Sequence, residues 1–77
     1  MNEIKSTYYY LDGTIDHSYD DPNKLLHRLD GPALEVIWED GSITTRYFLY
    51  DEFLGENLTP KKWIKIKNKF LKEYVFK

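Results

Sequence analysis

The sequence contains no cysteine, only four glycines and three prolines, and no long apolar run. Without cysteine the fold has no disulfide, and two histidines cannot complete a zinc site by themselves. No stretch approaches the roughly 18 apolar residues that a membrane span needs, and the first residues lack the apolar core of a signal peptide. These absences predict a soluble cytoplasmic protein with no metal, no cofactor and no membrane partner.

Aromatic residues are abundant and are expected to form the core. A chain of 77 residues forms one domain and buries only roughly 60–65% of the surface that its unfolded form exposes. Phe, Tyr and Trp make up 17% of the residues, and each can bury on the order of 150–250 Å². We therefore predict a single domain over residues 1–77 with one aromatic core.

The charges are divided unevenly along the chain. Residues 1–58 contain twelve of the thirteen acidic residues and four of the eleven basic ones, which gives a net charge of −8. The last nineteen residues contain seven lysines and Glu73, which gives +6. Such asymmetry indicates either two halves that attract each other within the fold or two surfaces for different partners.

Three Asp-Gly steps, at residues 12–13, 30–31 and 40–41, divide the first half of the chain. Asp-Gly between alternating apolar residues indicates a hairpin, because tight turns need a positive φ that glycine accepts without steric cost. We predict a chain reversal at each step, with a short strand over residues 25–28 leading into the second. Residues 1–54 are thus expected to form antiparallel hairpins.

The turn at residues 40–41 also predicts a register. If Asp40 and Gly41 form a two-residue loop, Trp38 lies opposite Ile43, and Glu35 lies opposite Arg46. One face is then apolar and the other carries a cross-strand ion pair, as a half-buried sheet requires. The predicted apolar face comprises Leu34, Val36, Trp38, Ile43, Thr45, Tyr47 and Leu49. Trp38 is expected to share one interior with Trp63.

A two-residue turn at Asp12 and Gly13 places the strands of the first hairpin at residues 4–11 and 14–19. Tyr9 then lies on one face of this hairpin. The other face comprises Tyr8, Tyr10, Ile15, His17 and Tyr19. The following residues, 20–23, have the Asp, Pro and Asn chemistry of a turn.

The last part of the chain has the pattern of an amphipathic helix. After a predicted loop over residues 55–59, Thr59 is a good N-cap and Pro60 suits the first helical position. Apolar residues then recur at spacings of three and four, which is typical of a helix packed on a core. These residues are Trp63, Ile66, Phe70, Leu71 and Tyr74, whereas Ile64 fits the stripe badly. The prediction is an α+β fold, an antiparallel β-meander of about five strands packed against one C-terminal helix at residues 60–75.

One part of the chain resembles a known family. Residues 27–33 (HRLDGPA), followed by residues 38–41 (WEDG) and 46–50 (RYFLY), resemble the HRxDGPA hairpin repeat of small phage and bacterial proteins, a variant of MORN-type repeats. Residues 58–60 (LTP) match the Leu-Thr step that opens the short helix of that family. The chain has one full copy, and residues 50–52 (YDE) replace the Asn-Gly step of the pattern.

This resemblance implies a phage-borne accessory protein, a class that includes small inhibitors of host enzymes and of antiviral defences. We accordingly expect a protein-interaction module rather than an enzyme, acting by binding and occlusion. Candidate contacts are surplus aromatic and charged residues that suit interface hot spots. They are Tyr8, Tyr9, Asp20, Asp21, Arg28, Phe48, Tyr50 and Phe53. Arg28 and His27 are also expected to tie down the turn, with His27 hydrogen-bonding the backbone.

Two other functions remain open from the sequence. Clustered lysines near aromatic residues can contact the phosphates of a nucleic acid. The lysines concerned are Lys61, Lys62, Lys65, Lys69 and Lys72. The third hypothesis is a self-assembling module, in which an exposed strand edge pairs with a second copy to form a homo-oligomer. No catalytic or metal-binding residue is predicted, because no paired carboxylates or nucleophile motif is present.

Overall fold

Residues 2–17 and 20–75, which this computed structural model describes, form five strands and one helix. The elements are β1 (Glu3–Tyr9), β2 (Ile15–Asp16), β3 (Leu34–Trp38), β4 (Ile43–Leu49), β5 (Glu52–Glu56) and α1 (Pro60–Val75). The strands form one antiparallel sheet in the order β2-β1-β3-β4-β5. This confirms the predicted α+β class with five strands and a C-terminal helix. The order is not that of a simple meander, because β3 pairs with β1 and not with β2.

Residues 26–28 continue β3 beyond an intervening loop. Leu26 pairs antiparallel with Tyr10, and β3 pairs with β1 in the same sense. The chain therefore keeps its direction across residues 30–31, so the predicted reversal at the second Asp-Gly step is wrong. The predicted strand over residues 25–28 is reduced to the single bridge at Leu26. Residues 29–32 instead bulge towards α1, where the Leu29 carbonyl accepts a hydrogen bond from Trp63 Nε1 at 3.1 Å.

The other two Asp-Gly steps do reverse the chain, but through three-residue loops. Trp38 N–H donates to the Ser42 carbonyl at 2.9 Å, so residues 39–41 form the loop and Gly41 has a φ of 88°. In the first hairpin Tyr10 N–H donates to the Thr14 carbonyl at 3.1 Å in the same way. A type I turn followed by a left-handed glycine is the usual geometry of such loops. The predicted two-residue loops are therefore wrong by one residue.

This shift changes which side chains share a face. Val36 lies opposite Thr44, and Leu34 lies opposite Arg46. Trp38 thus shares a face with Leu34 and Val36 as predicted, but the buried Tyr47 and Leu49 lie on the other face with Trp63. The expectation that Trp38 and Trp63 share one interior is wrong for this reason.

Two predicted pairings fail with the same shift. Glu35 does not pair with Arg46; its carboxylate contacts Arg28 at 3.1 Å, and Arg46 contacts Glu56 at 2.9 Å. In the first hairpin Ile15 lies opposite Tyr9, and Asp16 lies opposite Tyr8. The predicted placement of Ile15 with Tyr8 is therefore wrong, and that of Tyr19 lies outside the described residues.

The turn between β4 and β5 has no glycine. Leu49 pairs with Glu52, so Tyr50 and Asp51 form a two-residue loop in which both have a positive φ, 51° and 67°. This is the type I′ geometry that Asn-Gly usually supplies. The strand that follows continues to Glu56, so the predicted loop over residues 55–59 is confined to residues 57–59.

The helix follows the prediction closely. It begins at Pro60, and Lys62 N–H donates to the Thr59 hydroxyl at 3.2 Å, which is an N-cap hydrogen bond. Trp63 packs with Tyr47 and Leu49 in one of two buried clusters, and Ile66, Phe70 and Leu71 pack against it. The second cluster comprises Tyr10, Leu26 and Ala33.

Candidate functional site

The sheet face opposite α1 carries a row of apolar side chains that the helix does not cover. Strand alternation and register place its members side by side, and we call it the open face. It comprises Tyr8, Leu34, Val36, Trp38, Thr44, Arg46, Phe48 and Phe53. Because α1 packs on Tyr47 and Leu49, which point the other way, its apolar stripe does not reach the open face.

Aromatic side chains dominate the open face. Phe48 and Phe53 lie opposite each other, with ring centroids 5.4 Å apart, and Phe53 is 54% exposed. Tyr8 and Phe48 pack against the cluster around Tyr10. At the other end the indole N–H of Trp38 donates to the Thr44 hydroxyl at 2.9 Å, which orients the ring. These contacts orient the rings of Tyr8, Trp38, Phe48 and Phe53.

Charged residues lie at the margins of the open face, and most are acidic. Glu3 lies opposite Trp38 and accepts a hydrogen bond from the buried Ser6 hydroxyl, and Asp16 lies opposite Tyr8. Arg46 pairs with Glu56 beside a depression of about 450 Å³ that Phe48 and Phe53 also line. The open face thus combines aromatic rings with charged residues at its edges.

Arg28 and Tyr9, two of the predicted contacts, lie together on the helix side of the sheet. The guanidinium lies 3.9 Å from the centroid of the Tyr9 ring, contacts Glu35 at 3.1 Å and donates to the Pro32 carbonyl at 3.2 Å. Arg28 therefore ties the loop of residues 29–32 to the sheet. Its interactions are those of a structural residue, in agreement with the expectation that it ties down this turn.

Tyr50, a further predicted contact, is joined to His27 and to the helix. Its backbone N–H donates to His27 Nδ1 at 3.0 Å, which confirms the expected hydrogen bond between His27 and the backbone. The Tyr50 ring stacks on Tyr74 at 4.4 Å between centroids and lies 4.5 Å from the His27 ring. Burial lowers the pKa of His27. Tyr50 thus connects the β4–β5 turn with the end of α1.

The acidic pair of residues 20–21 lies beside the Tyr10 end of the sheet. The Asp21 backbone N–H donates to the Tyr10 hydroxyl at 2.8 Å, and the Asp21 carboxylate accepts from the Asn23 N–H at 2.9 Å. Asp20 is exposed. Burial raises the pKa of Tyr10, and the nearby carboxylates of residues 16, 20 and 21 raise it further. The pair therefore adds negative charge near the open face.

The lysines of the alternative nucleic-acid site all lie on α1 and are exposed. They are Lys61, Lys62, Lys65, Lys69 and Lys72. None of them forms an ion pair with an acid in the described part of the chain. Lys67 was not among the lysines predicted to contact nucleic acid. It is half-buried, and its ammonium donates to the Leu29 carbonyl at 3.1 Å.

The structure brings together three of the eight predicted contacts, Tyr8, Phe48 and Phe53. Trp38 and Arg46 belong to the same surface, but sequence reasoning assigned Trp38 to the core because of the register error.

The residue after each reversing Asp-Gly step is a sequence signal that could have predicted a three-residue loop. Thr14 and Ser42 each donate to the preceding Asp through both backbone N–H and hydroxyl, which stabilises the three-residue loop.

The described residues contain neither a metal-binding cluster nor a membrane-spanning helix, and the chain matches no known protein with which it was compared. Among residues 2–17 and 20–75, no group of His, Asp and Glu side chains could hold a metal ion. No helix in the same residues is long and apolar enough to cross a membrane. Comparison with protein-family models, curated proteins and solved structures finds no match to this chain.

Proposed function

We propose that this chain is a small protein-interaction module that inhibits a partner protein by binding and occlusion, without covalent chemistry. The open face is the observation that carries the proposal. Leu34 and Val36 on this face are buried, but the rings of Tyr8, Trp38 and Phe48 are partly exposed and Phe53 is 54% exposed. Apolar side chains left in contact with water on a small domain can mark an interaction site, because their exposure costs free energy. Prearranged aromatic rings within a polar margin are the usual composition of an interface hot spot.

The charges favour a partner with a basic surface. Glu3 and Asp16 lie beside rings that can supply the apolar anchor, and Asp20 and Asp21 add charge near one end, whereas Glu56 is paired with Arg46. Complementary charges mainly raise the association rate and the selectivity of binding, whereas the buried rings supply most of the affinity. The partner that we propose is therefore a host or antiviral-defence protein that has a basic groove and is located in the cytoplasm.

A nucleic-acid-associated role is the second candidate, and the lysines of α1 are the observation that favours it. Five exposed ammonium groups without described acidic partners lie along one helix. Lysines in such an array gain affinity for phosphates by releasing counterions. The acidic open face lies on the other side of the sheet, so the two functions would use different surfaces.

The first test is a pull-down from host-cell lysate with the tagged full chain and two matched variants. Phe53→Ser and Ile43→Ser each replace a large apolar residue that is more than half exposed, at 54% and 59% respectively. Phe53 belongs to the open face, whereas Ile43 lies on the other face. We expect a stoichiometric complex with the unchanged chain, retained by Ile43→Ser and weakened at least about tenfold by Phe53→Ser.

The comparison of Phe53→Ser with Ile43→Ser can contradict the proposal. If the complex persists in Phe53→Ser, or if both variants weaken it equally, the open face is not the binding surface. Failure to recover any stoichiometric partner from host lysate under gentle conditions would count against the inhibitor function itself. Circular dichroism of both variants checks that the sheet and helix are retained.

A further inference from the structure

A second candidate site lies on the helix side of the sheet, between the loop of residues 29–32 and α1. It is a cleft of about 380 Å³, which we call the loop–helix cleft. Its apolar lining comprises Leu29, Pro32, Tyr47, Pro60, Trp63 and Ile64. Sites for small ligands begin at roughly 300 Å³. The cleft is thus large enough for one large apolar side chain of a partner.

Hydrogen bonds between the loop and α1 fix the shape of the cleft. The Leu29 carbonyl accepts from Trp63 Nε1 and from Lys67 Nζ, each at 3.1 Å. At the bottom the rings of Tyr47 and Trp63 pack with centroids 4.8 Å apart, and Tyr47 donates its hydroxyl hydrogen to the Leu58 carbonyl at 3.1 Å. A site built in advance binds without a further ordering cost.

Ile64 has no packing role that explains it. It lies outside the buried stripe of α1 and is 51% exposed, and Leu29 across the cleft is 44% exposed. Residues three apart on a helix are surface neighbours, so Lys61 and Lys67 flank Ile64 on either side. Ile64 and Leu29 can therefore contact an apolar side chain of a ligand, and the lysines beside Ile64 make the surroundings basic.

The lysines near the cleft favour a ligand of negative charge. Asp30 is the acidic residue in its lining, whereas Lys67 lines it and further exposed lysines follow along α1. The lysines of α1 form no ion pair with acids of the described residues. A negatively charged occupant would therefore gain favourable interactions from the helix without breaking an ion pair, and Lys67 has two ammonium hydrogens besides the one that it donates to the Leu29 carbonyl.

From these observations we propose that the loop–helix cleft binds an acidic segment of a protein, with one leucine or phenylalanine side chain inserted between Leu29 and Ile64. Carboxylates on either side of the anchor then lie near Lys61 and Lys67. This site is independent of the open face, so the chain would carry two binding surfaces of opposite charge.

The test is a titration of the ¹⁵N-labelled full chain with a synthetic peptide in which a Leu-Phe pair is flanked by Asp and Glu residues. We expect saturable shifts of the Trp63 indole N–H and of the amides of Leu29, Ile64 and Lys67. Ile64→Ser should weaken binding about tenfold, because it removes apolar area at the mouth of the cleft. Ile43→Ser, a matched change of an exposed isoleucine elsewhere, should leave the affinity unchanged.

Several results would overturn the assignment. Equal binding of a peptide with Ser-Ser in place of Leu-Phe would show that charge alone is responsible. Tighter binding of an oligothymidylate, unaffected by Ile64→Ser and steeply weakened by salt, would identify the lysines as a nucleic-acid surface. A dimer that Ile64→Ser dissociates would make a second copy the occupant. Absence of cleft shifts at millimolar peptide would reject the site.

Discussion

At the scale of single residues, the contact between His27 and Tyr50 stabilises the turn between β4 and β5. Tyr50 occupies a left-handed conformation, which costs a residue with a Cβ roughly 1–2 kcal/mol. The hydrogen bond from its backbone N–H to His27 Nδ1, and the stacking of its ring on Tyr74, offset this cost. Because Nδ1 is the acceptor, the folded chain requires His27 to be unprotonated at that atom.

This requirement predicts a pH dependence of stability. Burial holds the pKa of His27 below its ordinary value of about 6.5, so the unfolded chain takes up the proton first as the pH falls. The contribution of His27 is therefore complete above about pH 6.5 and is lost as the pH falls through the folded pKa. We expect urea denaturation to show a lower free energy of unfolding near pH 5 than near pH 7.5.

Two variants separate His27 from other titrating groups. His27→Asn keeps an acceptor oxygen near the position of Nδ1 and cannot be protonated, so it should remove this pH dependence above about pH 5. His27→Ala should cost about 1–3 kcal/mol at pH 7.5, because the Tyr50 N–H loses its partner. If His27→Asn keeps the full pH dependence, the effect arises elsewhere.

At the scale of elements, the hairpins show that one dipeptide can take different roles. In the loops of residues 11–13 and 39–41, Thr14 and Ser42 donate to the Asp carboxylate, and their hydroxyl hydrogen bonds lower the pKa of Asp12 and Asp40. In both loops glycine has a φ near 90°. Gly31 follows an Asp as well, yet its φ is not positive. The residue after Gly31 is Pro32, which has neither a backbone N–H nor a side-chain donor, and this distinguishes the step from the two reversing hairpins.

The difference is testable by adding a methyl group at each site. Gly41→Ala should lower the free energy of unfolding by about 1–2 kcal/mol, because alanine pays the left-handed penalty. At Gly31 an added Cβ would lie 3.5 Å from the Arg28 guanidinium, an ordinary contact, so Gly31→Ala should cost less than about 0.5 kcal/mol. Urea denaturation followed by tryptophan fluorescence measures both; equal costs would contradict the assigned turn geometry.

Elements whose signals are local were predictable, and pairings between elements were not. Thr59, Pro60 and the spacing from Trp63 to Tyr74 are all within one segment, so the helix could be predicted with its start. The register of β3 and β4 depends on whether the loop has two or three residues, and Asp-Gly suits both. That one-residue difference moved Trp38 from the expected core to the open face, on which the candidate contacts Tyr8, Phe48 and Phe53 also lie.

At the scale of the whole molecule, the two oppositely charged parts do not hold each other by ion pairs in the described residues. The helix contacts the sheet through Trp63, Ile66, Phe70 and Leu71, and Lys67 contacts a carbonyl rather than a carboxylate. The lysines of α1 thus keep their charge free of ion pairs with the described acids. This favours the second of the two readings that the charge asymmetry leaves open, two surfaces for different partners.

If apolar packing holds the helix, stability should depend strongly on Trp63 and weakly on the lysines. Trp63→Ala should lower the free energy of unfolding by about 3–5 kcal/mol, because it opens a cavity against Tyr47 and Leu49. Lys69→Gln, a change on the exposed side of the same helix, should alter it by less than about 0.5 kcal/mol. Urea denaturation of each variant provides the values.

Salt gives an independent measurement of the same property. Raising sodium chloride from about 0.1 M to about 1 M shortens the Debye length from about 10 Å to about 3 Å and screens attraction between exposed charges. Were the lysines of α1 essential for docking, the unchanged chain would lose stability over this range, and Lys69→Gln would reduce that loss. We expect neither effect, because no ion pair joins α1 to the described acids. Exposed charges contribute little to the free energy of unfolding. Screening should instead weaken complexes formed through the open face or the lysines, since those depend on charges that folding leaves exposed.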